Sequence, residues 1–164
     1  MTHDFMTNPF NAERDADRHQ IWQRLVAADS DAFASGDWSS IEPDFDADNF
    51  EGIRCFNSAD PKDWQITFPT LASYRDSWLA AARAFATKQF VGLSNREAVY
   101  ARTRLDRIDF SGDRALCHKK FTGDLKLTDG TTHTGNRQTL YRMRRGSGGA
   151  WKIVGFLGFL PLEG

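Results

Sequence analysis

The stretch WQRLVAADSDAFASGDW, residues 22–38, predicts an amphipathic helix that ends at Gly36. At about 100° per residue, one face of this helix is apolar and should pack against the core. That face carries Trp22, Leu25, Val26 and Phe33. Asp29 falls on the same face, between Leu25 and Phe33. A carboxyl group therefore stands where the pattern requires an apolar side chain.

Helix and hairpin patterns fill the first part of the chain. The segment DWSSIEPDF, which begins at Asp37, predicts a short second helix. Residues 50–56 and 64–68 alternate with a period of two and predict a hairpin. Residues 70–88 return to the helical period and predict a long third helix that opens after Pro69.

The second part of the chain has the pattern of a sheet. No helical period is found after residue 96, and turn sequences such as Asp129-Gly130 separate the strand-like runs. These runs cover residues 97–110, 114–127, 132–145 and 150–160. The last run is apolar on both faces, which predicts a central strand. The order predicts an α+β fold in which three N-terminal helices pack on a curved, mainly antiparallel sheet around a pocket.

Composition and charge exclude several classes of function. The 164 residues include 21 basic and 22 acidic side chains, for a formal net charge of −1, and no long run of like charge occurs. This balance argues against a nucleic-acid partner. No segment has the apolar length of a signal peptide or a membrane span, so we expect a cytoplasmic protein without a membrane partner.

One domain is expected from this length. We place it over residues 12–164, after a flexible N-terminal arm over residues 1–11. Cys55 and Cys117 lie far apart and match no metal spacing, so they are expected to be buried free thiols.

Five segments of the chain resemble the NTF2-like superfamily and, within it, the SnoaL-like branch. They are AFASGDWSSI, FDADNFEG, YRDSWLAAARAF, FSGDRALC and GGAWKIVGF. The resemblance spans about residues 15–160. It implies a cone-shaped, cystatin-like α+β barrel around an apolar cavity, commonly a homodimer through the outer face of the sheet. The family includes ketosteroid isomerases, dehydratases and polyketide cyclases as well as modules without a reaction, so the fold does not choose the function.

Asp29 is the first candidate for a catalytic group. Apolar surroundings disfavour the charged form of a carboxyl group, which strengthens it as a general base for taking a proton next to a carbonyl. The alternative is structural: Asp29 could accept a hydrogen bond from a buried amide or pair with an arginine. Arg137 is the arginine in question, because it lies on the more apolar face of its strand.

His133 and Tyr141 share this face with Arg137 and are candidates for the proton donor or the oxyanion partner. Without a carboxylate partner, Arg137 would favour a carboxylate, phosphate or enolate oxygen. In VYARTRLDR, by contrast, the pattern places Arg102 and Arg104 on the outer face of a strand, in solvent or in an interface.

Aromatic residues on the inward faces are candidates for the walls of a ligand pocket, or else for plain core. They are Trp22, Tyr74, Trp78 and Phe156. The sequence thus favours a small-molecule pocket protein, such as an acid/base isomerase, dehydratase or cyclase that acts on an apolar cyclic or polyketide-like substrate. As the resemblance implies, it would need no metal or organic cofactor. The alternative is a non-catalytic ligand-binding or dimeric assembly module, in which Asp29 and Arg137 form a structural pair.

Overall fold

The computed structural model describes residues 4–162, in which helices pack on one large sheet. The helices are α1 (Ala16–Trp22), α2 (Asp29–Ser35), α3 (Leu71–Ala86) and α4 (Asn95–Arg102). The strands are β1 (Glu51–Arg54), β2 (Gln65–Phe68), β3 (Thr103–Ser111), β4 (Arg114–Phe121), β5 (Leu125–Lys126), β6 (Thr132–His133), β7 (Arg137–Arg145) and β8 (Trp151–Pro161). The predicted α+β fold, with helices on a curved sheet, is confirmed.

The predicted first helix is confirmed, although it is not a uniform α-helix. A π-helical segment, Gln23–Ala28, joins α1 to α2. Gly36, with a φ of 73°, adopts the left-handed conformation that ends α2. Short π-helical segments within α-helices are frequent at functional sites. This one is followed directly by Asp29, the first residue of α2.

Six strands form the main sheet in the order β2-β1-β8-β7-β4-β3. Neighbouring strands are antiparallel except for β1 and β8, which are parallel. The central position predicted for the last strand is confirmed, because β8 lies between β1 and β7. Gly52 of β1 lies against the ring of Phe156. A Cβ at this position would be only 2.9 Å from the ring, so a glycine is needed here.

Residues 95–102 correct the sequence-based prediction, since they form the helix α4 rather than the start of a strand. The Ser94 side chain accepts a hydrogen bond from the Glu97 amide, and the Glu97 side chain accepts one from the Ser94 amide. This reciprocal capping starts the helix. The strand β3 begins only at Thr103. As a result, Arg102 lies at the end of a helix instead of on the outer face of a strand.

Three other predicted segments are shorter, divided or different. The run 114–127 leaves the main sheet at Phe121, and the small strands β5 and β6 form a separate two-stranded sheet. Two 3₁₀ turns, Trp38–Ser40 and Glu42–Asp44, take the place of the short second helix.

The main core lies between the helices and the inner face of the sheet. Trp151 of β8 is fully buried there, and its indole N–H donates to Asp17 of α1 at 3.1 Å. Residues 1–3 of the expected arm lie outside the described residues, whereas Phe5 packs against the core. Cys55 and Cys117 are free and buried, as predicted. Among residues 4–162, no helix combines the length and apolar character needed to cross a membrane.

Candidate functional site

A cavity of about 840 Å³ lies between the helices and the inner face of the sheet. One face of α3 forms a long wall, because residues three or four positions apart lie on the same side of a helix. The residues of this wall are Tyr74, Ser77, Trp78, Ala81, Ala84 and Phe85. The opposite wall comes from β4, β7 and β8, and α2 and α4 close the sides.

The register of the strands gives the cavity two ends. Successive side chains alternate across a strand, so Arg137, Thr139 and Tyr141 of β7 all face the cavity. In the neighbouring strand, Phe121 pairs with Arg137 and Lys119 pairs with Thr139. Arg137 and Tyr141 are four residues apart, which separates their Cα atoms by about 13 Å. Different sets of charged and polar groups surround these two residues.

The first end, which we call the carboxylate end, contains an ion pair. The residues of the carboxylate end are Asp29, Tyr74, Trp78, Lys119 and Tyr141. Lys119 Nζ donates to Asp29 Oδ2 at 2.8 Å, and Trp78 Nε1 donates to Asp29 Oδ1 at 3.4 Å. The Lys119 side chain is 3% exposed and that of Asp29 is 27% exposed. The carboxylate is therefore accessible from the cavity, while the ammonium group is buried behind it.

This ion pair corrects the predicted structural pair of Asp29 with Arg137. The partner of Asp29 is Lys119, from the adjoining strand β4. Arg137 instead stacks on an aromatic ring, with its Cζ atom 3.7 Å from the ring centroid of Phe159.

Two phenol groups complete the carboxylate end. The hydroxyl groups of Tyr74 and Tyr141 interact, with Tyr141 as the donor. Burial raises the pKa of both tyrosines well above the usual range, and the nearby Asp29 carboxylate raises the pKa of each further. Both phenols therefore keep their protons at physiological pH and remain hydrogen-bond donors. A carboxylate and a pair of protonated phenols thus meet at one end of an apolar cavity.

The second end, which we call the arginine end, is positively charged. It consists of Lys88, Arg102, His133 and Arg137. Burial lowers the pKa of Arg102, and the positive charge of Arg137 lowers it further. Burial also lowers the pKa of His133, as do the nearby cations Arg102, Lys88 and Arg137. Since the usual pKa of histidine is about 6.5, His133 is mainly neutral at pH 7.

All of the predicted site residues except Trp22 line the cavity. Trp22 packs in the main core, where it is almost fully buried. The others divide between the two ends: Asp29 and Tyr141 lie at the carboxylate end, whereas His133 and Arg137 lie at the arginine end. Phe156 of β8 lies opposite Tyr141 in register. Within residues 4–162, no three His, Cys, Asp or Glu side chains are placed to hold a metal ion. The roles of the predicted residues in binding or catalysis stay predictions.

Lys119 and Arg102 are among the cavity residues that the sequence analysis does not identify. Lys119 has the same parity along β4 as Cys117 and Phe121, so the strand alternation itself places it on the inner face. The strand predicted over residues 97–110 puts Arg102 on the outer face, and the helix α4 corrects this. The sequence Ser94-Asn95-Arg96-Glu97 is a capping-box pattern and could have revealed that helix.

Comparisons with solved structures decide the fold family. An NTF2-like protein from Shewanella baltica aligns over 93% of this chain and 100% of its own, with a TM-score of 0.54 and 14% identity. A candidate dehydratase of the NTF2-like family from Streptomyces avermitilis aligns over 92% of this chain and 99% of its own, with a TM-score of 0.57 and 15% identity. This chain has the NTF2-like fold.

A third NTF2-like relative in structure is described as ketosteroid isomerase-like and comes from Erwinia carotovora atroseptica. It covers 94% of this chain and 100% of its own, with a TM-score of 0.52 and 16% identity. No protein-family model matches the sequence, and no curated protein is similar to it. At these identities the likeness establishes the NTF2-like fold and leaves the chemistry to be argued from the cavity itself.

Proposed function

We propose that the protein binds an apolar cyclic small molecule in its cavity and catalyses a proton transfer on it without a cofactor, as an isomerase, dehydratase or cyclase. One observation carries this proposal: the Asp29 carboxylate and two protonated phenols meet at one end of an apolar cavity. The descriptions of two structural relatives, one ketosteroid isomerase-like and one a candidate dehydratase, are consistent with such chemistry.

Each group at the carboxylate end has a role that fits its surroundings. Asp29 acts as the base that takes a proton from a carbon next to a carbonyl. Tyr141 donates a hydrogen bond to the carbonyl oxygen as negative charge develops there. This requires its O–H to turn away from Tyr74, and Tyr74 then donates to Tyr141. Lys119 and Trp78 hold the carboxylate in position through the two bonds that they donate to it. His133, the other predicted proton donor, belongs to the opposite end.

The buried ion pair favours a second candidate function. A carboxylate that neutralises a buried ammonium group has a sufficient structural reason to be present. In that case the cavity binds a ligand but performs no reaction, and Asp29 only stabilises Lys119. This is the ligand-binding module that the sequence left as the alternative, with a different partner for Asp29.

Exchange of hydrogen for deuterium on a simple ketone distinguishes the two functions. The probe is β-tetralone, a flat apolar ketone whose protons next to the carbonyl exchange in heavy water. We expect the protein to accelerate this exchange. Asp29→Asn should reduce the acceleration by about 100-fold or more, and Tyr141→Phe by a similar factor.

Two matched controls lie outside the cavity. Asp31→Asn changes a carboxylate of the same helix that pairs with Arg96, and Tyr100→Phe removes a phenol that donates to Asp31. Both should leave the exchange rate unchanged. Exchange at the rate of the buffer in the wild type, or full exchange in Asp29→Asn, would rule out the enzyme and leave the binding module.

The homodimer stays a prediction of the sequence. Leu116, Leu140 and Val154 are half-buried on the outer face of the sheet, where the partner would bind. The molar mass in solution, measured by light scattering during size-exclusion chromatography, tests it. A mass of one chain would remove the dimer from the proposal.

A further inference from the structure

The arginine end contains a cation with an unused donor group. Arg102 is only 9% exposed, and its Nε–H has no hydrogen-bond partner in the described part of the chain. One other N–H of the same guanidinium, on Nη2, donates to the Gly135 carbonyl at 3.1 Å. A Cβ at Gly135 would collide with this nitrogen, so the glycine makes room for the guanidinium. The group is therefore held in place while one of its buried donors has no partner.

Arg137 adds a second unpaired donor beside the first. The guanidinium of Arg137 stacks on the ring of Phe159. Phe159 has no paired residue on β7, because the register between β7 and β8 shifts at this point. The Nε–H of Arg137 is also buried without a hydrogen-bond partner. The two positive charges repel each other, as the lowered pKa of Arg102 reflects.

No acid within residues 4–162 neutralises this pair. Neither Arg102 nor Arg137 forms an ion pair with a described carboxylate. The charge of Asp124 raises the pKa of Arg102, but Asp124 is exposed at the surface and forms no ion pair with it. Lys88 adds a third positive charge to the same end. A buried cation next to a half-buried one, without a counter-ion, destabilises a folded protein unless a ligand supplies the missing negative charge.

We propose that Arg102 and Arg137 bind an anionic oxygen group, a carboxylate or a phosphate, carried by the cavity ligand at the end opposite to the Asp29–Lys119 pair. Guanidinium groups suit such anions because their planar forks donate two parallel hydrogen bonds. This inference rests on the cavity being a ligand site, as the proposed function requires, but not on proton transfer. The ligand is then an apolar ring system with an acid group at one end, and the proposed proton transfer adds a keto group at the other.

The test compares three fluorescent probes that share one ring system. β-Naphthol carries only the phenol, a hydroxynaphthoate adds a carboxylate at the far end of the rings, and a hydroxynaphthyl phosphate adds a phosphate there. Equilibrium binding is followed by the change in naphthol fluorescence. We expect at least one anionic probe to bind about tenfold or more tightly than β-naphthol, and the tighter one identifies the anion.

Single substitutions connect this preference to the two arginines. Arg102→Gln and Arg137→Gln should each reduce the affinity of the anionic probe by about 10- to 100-fold, with a smaller change for β-naphthol. Arg104→Gln is the matched control, because it removes the same charge from an exposed side chain that does not line the cavity. The melting temperatures of Arg102→Gln and Arg137→Gln should equal or exceed that of the wild type, since one repelling charge is removed. If either glutamine variant does not fold, the lysine version keeps the charge and loses the planar fork.

Equal binding of all three probes, or a preference that survives both glutamine substitutions, would overturn the inference. So would a failure of both anionic probes to bind. These results are independent of the exchange assay on the wild type. Exchange without an anion preference would overturn only this inference, and an anion preference without exchange would overturn only the proton transfer.

Discussion

Breaking the Asp29–Lys119 pair from its two sides should have unequal effects on stability. Asp29→Asn leaves the ammonium group of Lys119 buried without its counter-ion, because that side chain is only 3% exposed. Removing one partner of a buried ion pair costs about 3 kcal/mol of unfolding free energy. Lys119→Met leaves a carboxylate that is 27% exposed toward the cavity and still accepts a bond from Trp78, so the cost should be about 1 kcal/mol.

These free energies convert into measurable melting temperatures. For a chain of this length, 1 kcal/mol corresponds to a shift of roughly 2–4 °C. We expect Asp29→Asn to lower the melting temperature by roughly 6–12 °C and Lys119→Met by roughly 2–4 °C. The double variant has no buried charge left at this position, so it should be more stable than Asp29→Asn alone.

Thermal melts followed by circular dichroism, with urea unfolding as a second measurement, test the order of the four proteins. Asp31→Asn is the control, because the Asp31–Arg96 pair is exposed and should contribute about 1 kcal/mol or less. Two outcomes would refute the reasoning. One is a larger loss for Lys119→Met than for Asp29→Asn. The other is a double variant whose loss equals the sum of the two single losses.

Three further predictions concern ionisation and packing. Burial raises the pKa of every tyrosine in the chain, to about 12 for Tyr100. At about pH 10 the native protein should therefore show almost no tyrosinate absorbance. The denatured protein should show half of the full signal at the same pH. The unfolded chain loses these protons first, so stability should fall as the pH rises above about 10. His133 behaves in the opposite sense: its pKa is lowered by burial, the unfolded chain binds the proton first, and stability should fall as the pH drops below about 6.5. Urea midpoints at about pH 7.5 and 5.5 should therefore differ less in His133→Gln than in the wild type. Gly52→Ala should cost about 1–3 kcal/mol in a thermal melt, because the added methyl group would lie 2.9 Å from the Phe156 ring; an unchanged melt would mean that the ring moves aside.

Long periodic segments made most of the fold predictable. The helix expected over residues 70–88 is observed as α3, Leu71–Ala86, because its apolar positions repeat at the helical period and Thr70 caps it. The run that was apolar on both faces is β8, which has a neighbouring strand on each side. In these segments, local propensity and burial indicate the same structure.

The segment after residue 94 was predicted less well, because two periods compete there. Tyr100 and Arg102 lie on one face if the segment is a strand, but on nearly opposite faces if it is a helix. The alternating, partly β-branched sequence favoured a strand, whereas the capping box at Ser94 and Glu97 favoured a helix, and the cap prevailed. The burial of Arg102 depends on this choice.

The partner of Asp29 could not be obtained from the helix that carries it. Strand alternation places Lys119 on the inner face, yet lysine is rarely buried without a partner. The two residues are 90 positions apart in sequence, and only the packing of α2 over β4 brings them together. A sequence pattern specifies which face a side chain occupies, but the pairing across the core depends on the tertiary structure.

For the proposed ligand, the strand β7 sets the distance between the two ends of the cavity. Arg137 and Tyr141 lie on one uninterrupted stretch of backbone that pairs residue for residue with β4, so their separation of about 13 Å does not depend on a mobile loop. Moving either group by one residue would turn it to the other face of the sheet. Moving one of these groups along β7 while keeping it on the inner face therefore changes the distance between them in steps of about 7 Å, which is about the width of two fused rings.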